Sequence, residues 1–179
     1  DEFSAYHYSI EIARQKIVQA AENLYAVALG GTAVGSGANS PPGYREISIR
    51  HLRDVSQLNI TSSENLYFAL QSRFGVTCYS SSIRNLAVEL IKLANDLRLM
   101  ASGPTAGFAE IVIPAVHAGS SIMPGKINPS LAECLNMICF NVIGNDVAVA
   151  MASQAGQFEL NVMLPGMLKW ILESMDMLR

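Results

Sequence analysis

Residues 119–129, Gly-Ser-Ser-Ile-Met-Pro-Gly-Lys-Ile-Asn-Pro, combine two glycines, two prolines, two adjacent serines, one lysine and one asparagine. Glycine and proline at this density cannot continue a helix, so the segment predicts a loop with exposed backbone amides. An apolar helical pattern resumes directly afterwards, and it predicts Asn128 as the helix N-cap and Pro129 as the first helical residue. Loop amides, the charge of Lys126 and a helix N-terminus together indicate a site for an anion such as a carboxylate, with a mobile linker as the alternative.

The composition of the chain limits the classes of partner. Half of the 179 residues are apolar, only 15% are charged, and the mean hydropathy is +0.27. This apolar surplus predicts burial between subunits. No run of about eighteen uncharged apolar residues is present, so we expect no membrane span. The net charge is −3 and the charges are scattered without a basic stripe, so we expect no nucleic-acid partner.

Cysteine and histidine do not form metal-binding patterns. The three cysteines lack metal-ligand spacing, and reduced thiols in a cytoplasmic protein fit them best. The three histidines also lack such spacing, so we expect no metal site. His117 lies two residues before Gly119, but a solvated loop residue is the commoner role for such a histidine. The other residues concerned are Cys78, Cys134, Cys139, His7 and His51.

The first half of the chain reads as helices separated by one glycine-rich break. Two interleaved seven-residue series of apolar residues predict a first helix from residue 3 to about 27. The series are Phe3, Ile10, Ile17 and Leu24, and Tyr6, Ala13, Ala20 and Val27. Residues 30–44 break the pattern, and a short amphipathic helix is predicted at about 45–57. A long helix is then predicted from about 63 to 100, with its cap among residues 61–63.

The second half predicts one long loop and two more helices. Residues 101–128 form an irregular stretch of a length that is usually functional or disordered, with a short extended piece at 110–114. A helix is predicted from about 129 to 153, and a last helix begins near residue 157, where Pro165 either kinks it or marks its true start. We therefore expect an all-α fold, an elongated up-and-down bundle of long helices that cross near 20°.

The glycine-rich segment 30–39 resembles a phosphate-binding loop only superficially. It has no Lys-Ser/Thr pair after Gly35 and no preceding strand, so it fits neither the P-loop nor the dinucleotide-binding pattern. A flexible connection between helices is the simpler interpretation. The alternative is that its polar side chains line a cavity, namely Thr32, Ser36 and Asn39.

Three segments, in order along nearly the whole chain, resemble the fumarase/aspartase superfamily. Residues 119–129 resemble its highly specific signature loop. Residues 29–39 are similar to a second shared block, Gly-Gly-Thr-Ala-Val-Gly, and residues 94–104 resemble the stretch that precedes the signature. Members of this superfamily eliminate a group from the β-carbon of a succinyl skeleton and usually release fumarate.

The resemblance also implies roles for individual residues. It implies that Ser120 is the general base that removes a proton from the carbon next to a carboxylate. Glu133 matches a glutamate that pairs with an active-site histidine in relatives, whereas the sequence alone indicates a first-turn acid favoured by the helix dipole. The implied contacts to the substrate carboxylate and to its aci-carboxylate form come from Ser121, Ile122, Met123, Lys126 and Asn128.

The superfamily further implies a homotetramer with composite active sites, each built by several subunits, and no cofactor. The histidine partner of Glu133 belongs to a Thr-His motif that would precede residue 1. Residues 1–179 thus resemble the central helical domain without the N-terminal and C-terminal domains. The expectation is that this piece alone is catalytically silent.

The substrate implied by the resemblance is an amino acid or a dicarboxylate. Residues 144–163, especially Ala-Ser-Gln-Ala-Gly-Gln at 152–157, look more like the aspartate ammonia-lyase branch. Thr105 stands where both branches commonly have arginine, and residues 68–80 match neither branch cleanly. The alternatives are a fumarase, which hydrates fumarate to L-malate, and a helical structural module that has lost its chemistry.

Overall fold

The computed structural model describes all 179 residues, and it confirms the predicted all-α class. Two strands of two residues each, β1 (Ala26–Val27) and β2 (Thr61–Ser62), pair in parallel. The six α-helices are α1 (Glu2–Ala21), α2 (Tyr44–Ser56), α3 (Leu66–Gln71), α4 (Phe74–Met100), α5 (Ser130–Gln154) and α6 (Leu164–Met177).

Helix α4 lies at the centre of the bundle. Helices α1 and α5 pack on it, and α6 packs mainly against α5. The deepest positions of α4 are small, because Ala87 and Ala94 are fully buried while most of its leucines are only half-buried. Small residues at these positions allow the neighbouring helices to approach closely. The buried apolar cluster consists of Ile83, Ala87, Cys139, Val142, Val149, Ala152, Met167 and Ile171.

Polar contacts fix the alignment of α4 with its two neighbours. Asp146 of α5 accepts hydrogen bonds from the Ser80 hydroxyl at 2.7 Å and from Arg84 Nε at 2.8 Å. On the other side of α4, the hydroxyl of Tyr6 in α1 donates to Asp96 Oδ2 at 2.6 Å. Buried polar groups with defined partners specify one relative position of two helices more sharply than apolar contacts do.

The prediction that the first helix extends to Val27 is wrong. Helix α1 ends at Ala21, and one turn of 3-10 helix (Glu22–Leu24) leads into β1. The Thr61 amide donates to Tyr25 O at 2.8 Å and the Ser63 amide donates to Val27 O at 3.0 Å. These bonds to a distant segment replace the intrahelical bonds that the heptad pattern predicted.

The predicted helix over 63–100 is divided in two. Ser72 has an extended backbone (φ −93°, ψ 143°) between α3 and α4. Arg73 follows this break, and its Nη2 donates to the carbonyl oxygen of Asn161 at 2.7 Å. Burial lowers the pKa of the Arg73 guanidinium. The cap predicted among residues 61–63 is instead Asn65, whose Oδ1 accepts the Phe68 amide at 3.0 Å.

The last helix starts later than predicted. Pro165 lies in the first turn of α6, which confirms that it marks the true start of the helix rather than a kink. Residues Gln157 and Leu160 form an isolated bridge instead of helix. The buried side chain of Asn161 donates to the carbonyl oxygens of Ala152 and Ser153 at the end of α5. These bonds use the terminal carbonyls of α5 and separate the two helices.

Helix α5 alone is long and apolar enough to cross a membrane, judged by length and composition. It contributes four residues to the buried cluster of the bundle. It also carries polar side chains that bond to α4, since Asn136 Nδ2 donates to Asn95 Oδ1 at 2.9 Å. The core helix of a soluble protein meets the same length and composition test. The absence of a membrane span stays a prediction.

Candidate active site

The loop at residues 119–129 connects the irregular segment after α4 to the first turn of α5, and it closes on itself. The Gly119 amide donates to the carbonyl oxygen of Lys126 at 3.1 Å. The side chain of Asn128 donates from Nδ2 to the carbonyl oxygen of Gly119 at 2.9 Å. These two bonds bring the ends of the loop together, so the loop has a defined shape.

Gly119 is required at its position by this closure. A Cβ atom there would lie 2.3 Å from the carbonyl oxygen of Lys126, well inside contact distance. The loop reverses at Gly125, whose φ of +73° is a conformation that side chains with a Cβ rarely adopt. Glycine therefore has a steric role at one end of the loop and a conformational role at its turn.

Ser120 is half-buried and accepts two backbone hydrogen bonds. The amides of Ile122 and Met123 both donate to Ser120 Oγ at 3.1 Å. Hydrogen bonds to an oxygen favour its negatively charged form. The two amides therefore favour the alkoxide form of Ser120, which is one requirement for a serine that acts as a base. Because the Ile122 and Met123 amides are directed at Ser120, they are not free for a substrate carboxylate, and both side chains are exposed.

Lys126 supplies an uncommitted positive charge beside this serine loop. It is exposed, and its ammonium group forms no ion pair or hydrogen bond within the chain. Ser121 is exposed in the same loop. A lysine without a partner next to a closed loop of backbone amides suits the binding of an anionic ligand.

The prediction that Asn128 is the N-cap of the following helix is wrong. The cap position lies one residue later, and the Asn128 side chain bonds to Gly119 instead of to an amide of the helix. Helix α5 begins at Ser130, and Pro129 occupies the cap position with φ −78° and ψ 49°. Asn128 makes no capping bond because its amide group is turned back to Gly119. Asn128 thus closes the loop through Nδ2 and does not cap α5.

Glu133 lies in the first turn of α5, as the sequence indicates, and faces Arg98 of α4. Arg98 Nη2 and Glu133 Oε1 are 3.6 Å apart. The Arg98 Nε atom is buried and has no hydrogen-bond partner. The ion pair joins the end of α4 to the start of α5, the helix that follows the loop.

His117 has a structural role that its place in the sequence does not indicate. Its Nδ1 lies 2.7 Å from the carbonyl oxygen of Ala118, and its Nε2 lies 2.5 Å from the hydroxyl oxygen of Ser130. The ring is exposed, as expected for a loop histidine, but it bridges the two residues that flank the loop. Its position just before Gly119 is the one signal in the sequence, and it specifies neither partner.

The glycine-rich segment is a close-packed turn rather than a flexible connection. Gly31 O accepts the amides of both Gly35 and Gly37 at 3.0 Å. A Cβ at Gly35 would lie 2.6 Å from the amide nitrogen of Tyr67, so the turn packs directly against α3. The polar candidates Thr32, Ser36 and Asn39 are all exposed.

Comparison with known proteins gives consistent matches over nearly the whole chain. A family model described as Lyase matches residues 1–144. Aspartate ammonia-lyase of Bacillus subtilis is 46% identical over 177 residues, which cover 99% of this chain and 37% of that protein. Class II fumarate hydratase of Neisseria meningitidis is 44% identical over 177 residues, which cover 99% and 38% of the two chains.

Comparison with solved structures also finds a lyase. The crystal structure of fumarate lyase:delta crystallin from Brucella melitensis bound to cobalt matches with a TM-score of 0.95 and 41% identity. The match covers 99% of this chain and 38% of that one. The chain thus spans a little more than a third of the length of the relatives it matches. Within the chain itself, no group of three or more His, Cys, Asp or Glu side chains is arranged to hold a metal ion.

Proposed function

The chain belongs to the fumarase/aspartase superfamily of lyases, and on that premise we propose that it is the central helical domain of an enzyme that converts L-aspartate to fumarate and ammonia. The observation that carries the proposal is Ser120, whose Oγ accepts two backbone amides in a closed loop that also presents Lys126. Such a serine is a base placed beside an anion-binding group, as β-elimination from a carboxylate requires.

In this mechanism Ser120 Oγ, in its alkoxide form, takes a proton from the carbon next to the substrate carboxylate. The electron pair of the broken C–H bond moves into that carboxylate and forms a dianionic aci-carboxylate. The pair then returns to form the carbon–carbon double bond while the C–N bond breaks, which releases ammonia and fumarate. Lys126 stabilises the additional negative charge as it develops, together with Asn128, whose Nδ2 keeps a second hydrogen after its bond to Gly119 O.

Glu133 takes part indirectly in this proposal. We assign it to pair with a histidine from outside residues 1–179, as the resemblance implies. Its ion pair with Arg98 and its place in the first turn of α5 hold the carboxylate at the loop end of the bundle. Ser121 and the exposed side chains of Ile122 and Met123 complete the substrate-binding loop. No cofactor takes part.

The exposed surface supports assembly into a homotetramer with composite sites. A folded monomer of 19.3 kDa is expected to expose about 8,500 Å², whereas this chain exposes 11,660 Å². The excess is rich in apolar side chains, several of which follow one face of α5 around Gly144. They are Met137, Phe140, Val147 and Met151, each more than half exposed. A second copy of this chain is the occupant we propose for that face.

A fumarase is the second candidate, because a class II fumarate hydratase is 44% identical to the chain, almost as similar as the 46% of the ammonia-lyase. The segment at 144–163 is our reason for placing the ammonia-lyase first. A non-catalytic helical module is less well supported, since Ser120, Lys126 and Asn128 are all present. The three cysteines are free thiols, which suits the cytoplasmic location we propose.

The test follows fumarate by its ultraviolet absorbance in the complete protein, with L-aspartate and separately with L-malate as substrate. Release of fumarate from aspartate alone supports the assignment as an ammonia-lyase. Release of fumarate from malate alone contradicts it and supports the fumarase. Fumarate from neither substrate contradicts both assignments. Residues 1–179 alone are the control, and turnover by that piece would contradict the expectation that it is catalytically silent without the other domains.

A further inference from the structure

The segment that leads into the serine loop has almost no attachment to the rest of the chain. The amides of Glu110 and Ile111 both donate to the carbonyl oxygen of Met100. Beyond them, residues 112–118 make no backbone–backbone hydrogen bond. Val112 is 91% exposed, and beyond the partly buried Ile113 every residue from Pro114 to Ala118 is exposed, so apolar burial holds little of this segment. Any contact from its last residues to a helix therefore has a large effect on where the loop begins.

His117 provides that contact. Ala118 O can only accept a hydrogen bond, so the nearby Nδ1 of His117 carries the proton in the neutral ring. Nε2 is then an acceptor, and it lies 2.5 Å from the hydroxyl of Ser130, which donates to it. Both ring nitrogens are thus in use, and the ring orientation is fixed.

This contact differs in kind from the two bonds that close the loop. The bonds Gly119–Lys126 and Asn128–Gly119 lie within the loop, and they fix its shape but not its orientation. The His117–Ser130 contact joins the segment before the loop to the first residue of α5. It therefore ties the position of Ser120 to a 25-residue helix of the bundle.

We propose that His117 is a positioning residue that anchors the serine loop to α5 and so holds Ser120 in its reactive place. The inference rests on the proposed function for its catalytic consequence, but not for the anchoring itself. A misplacement of about 1 Å in a reacting group costs roughly a hundredfold in rate. Loss of the anchor is therefore expected to lower kcat strongly while the bundle stays intact.

The experiment uses His117→Ala, Ser130→Ala and the double variant in the complete protein, with amide hydrogen exchange and steady-state kinetics as readouts. We expect exchange of the hydrogen-bonded loop amides, those of Gly119, Ile122 and Met123, to become at least about tenfold faster in either single variant, with exchange in α4 and α5 unchanged. We expect kcat to fall by about tenfold to a hundredfold. The double variant should show the same fall in kcat and the same exchange rates as either single variant, because both substitutions remove the same contact.

Two further variants make the test specific. His117→Gln retains a polar group that can bond to the Ser130 hydroxyl, so it should restore most of kcat and of the exchange protection. His51→Ala is the matched control, since His51 is an exposed histidine on α2 whose side chain makes no hydrogen bond; it should change neither readout. Unchanged amide hydrogen exchange of the loop in His117→Ala, or additive effects of the two alanine substitutions, would contradict the proposal that His117 anchors the loop.

Failure of the two proposals can be told apart. If the wild-type protein releases no fumarate from either substrate, the proposed function fails, and the exchange data still decide whether His117 anchors the loop. If the wild-type protein is active and His117→Ala keeps full kcat, the positioning role fails while the lyase assignment stands.

Discussion

The side-chain amide of Asn128 donates to the carbonyl oxygen of Gly119 at 2.9 Å, so the last polar residue of the serine loop closes on its first residue. The Gly119 amide also bonds to Lys126, which makes Gly119 the point where both closing bonds meet. The shape that presents Ser120 thus depends on a residue without a side chain.

Substitution of Gly119 by alanine should open the loop. The added Cβ would lie 2.3 Å from the carbonyl oxygen of Lys126, so the backbone at residue 119 or at Lys126 must move. We expect kcat/KM to fall by about a hundredfold or more, as for other small displacements of reacting groups. The thermal midpoint should hardly change, because the loop contributes little to the core. Unimpaired turnover in this variant would show that the closed loop is not the active form.

The pair of Glu133 and Arg98 separates two explanations of Glu133. Their side chains are 45% and 40% exposed, so their ion pair should contribute less than about 1 kcal/mol to stability. If Glu133 acts through a histidine, Glu133→Gln should lower kcat by more than about tenfold, and Arg98→Ala should have a much smaller effect. Equal losses in the two variants would mean that the ion pair, and not a histidine, is what matters.

Much of the helical bundle could be predicted from spacing alone, because the apolar repeats of α4, α5 and α6 are local and strong. The errors fall where a distant contact overrides the local pattern. The strand pairing of β1 with β2 ends α1 early, and the reach of Arg73 to Asn161 accompanies the break before α4. No repeat in the sequence signals either contact.

The candidate site likewise has features that the sequence predicts and features that only the folded loop determines. The composition of residues 119–129 is enough to predict a loop with a lysine and a serine, but not the two hydrogen bonds that close it. The orientation of the Asn128 side chain is decided by loop geometry, since it donates from Nδ2 to Gly119 O and its Oδ1 accepts no amide of α5. The contact of His117 with Ser130 joins residues thirteen positions apart across irregular backbone, where no helical or strand periodicity applies.

Asp146 is expected to be important for the stability of the bundle. It accepts bonds from the buried Ser80 hydroxyl and from Arg84, and its side chain is only 15% exposed. Asp146→Ala leaves that hydroxyl without its partner, which should cost about 1–3 kcal/mol of unfolding free energy. Asp146→Asn should cost less, because its carbonyl oxygen can still accept from Ser80.

Urea denaturation of the complete protein at one fixed concentration measures this loss, since assembly makes stability depend on concentration. The matched variant Ser80→Ala removes only the hydroxyl, so its effect should be smaller than that of Asp146→Ala. An unfolding free energy unchanged by Asp146→Ala would contradict the role given to this contact.

Asp96 should make the stability of the fold depend on pH in the acid range. Hydrogen bonds from Lys92 and Tyr6 lower the pKa of Asp96 in the folded chain. A lowered folded pKa adds stability that is complete above the unfolded value of about 3.9 and is lost as the pH falls through the folded value. The midpoint of thermal unfolding should therefore fall less steeply below about pH 4 in Asp96→Asn than in wild type. Identical acid limbs would show that the contact is not maintained in solution.

The apolar face of α5 should be a subunit interface. Phe140 is 57% exposed on that face, and an added Cβ at the nearby Gly144 would meet no atom within 4 Å. Phe140→Glu should reduce the mass measured by light scattering and, with composite sites, abolish activity. Val55→Glu, at an 84% exposed position on α2, is the control and should leave the mass unchanged. A full-sized assembly in Phe140→Glu would place the interface elsewhere.

The most direct test of the lyase assignment is the rate of fumarate release by Ser120→Ala in the complete protein, beside Ser121→Ala. General-base catalysis contributes about 10²–10⁴-fold, so kcat of Ser120→Ala should fall by at least a hundredfold with an unchanged molecular mass. Ser121→Ala should mainly raise KM, because a substrate-binding residue acts on binding rather than on proton removal. Activity of Ser120→Ala close to that of the wild type would show that Ser120 is not the base and would contradict the mechanism proposed for this loop.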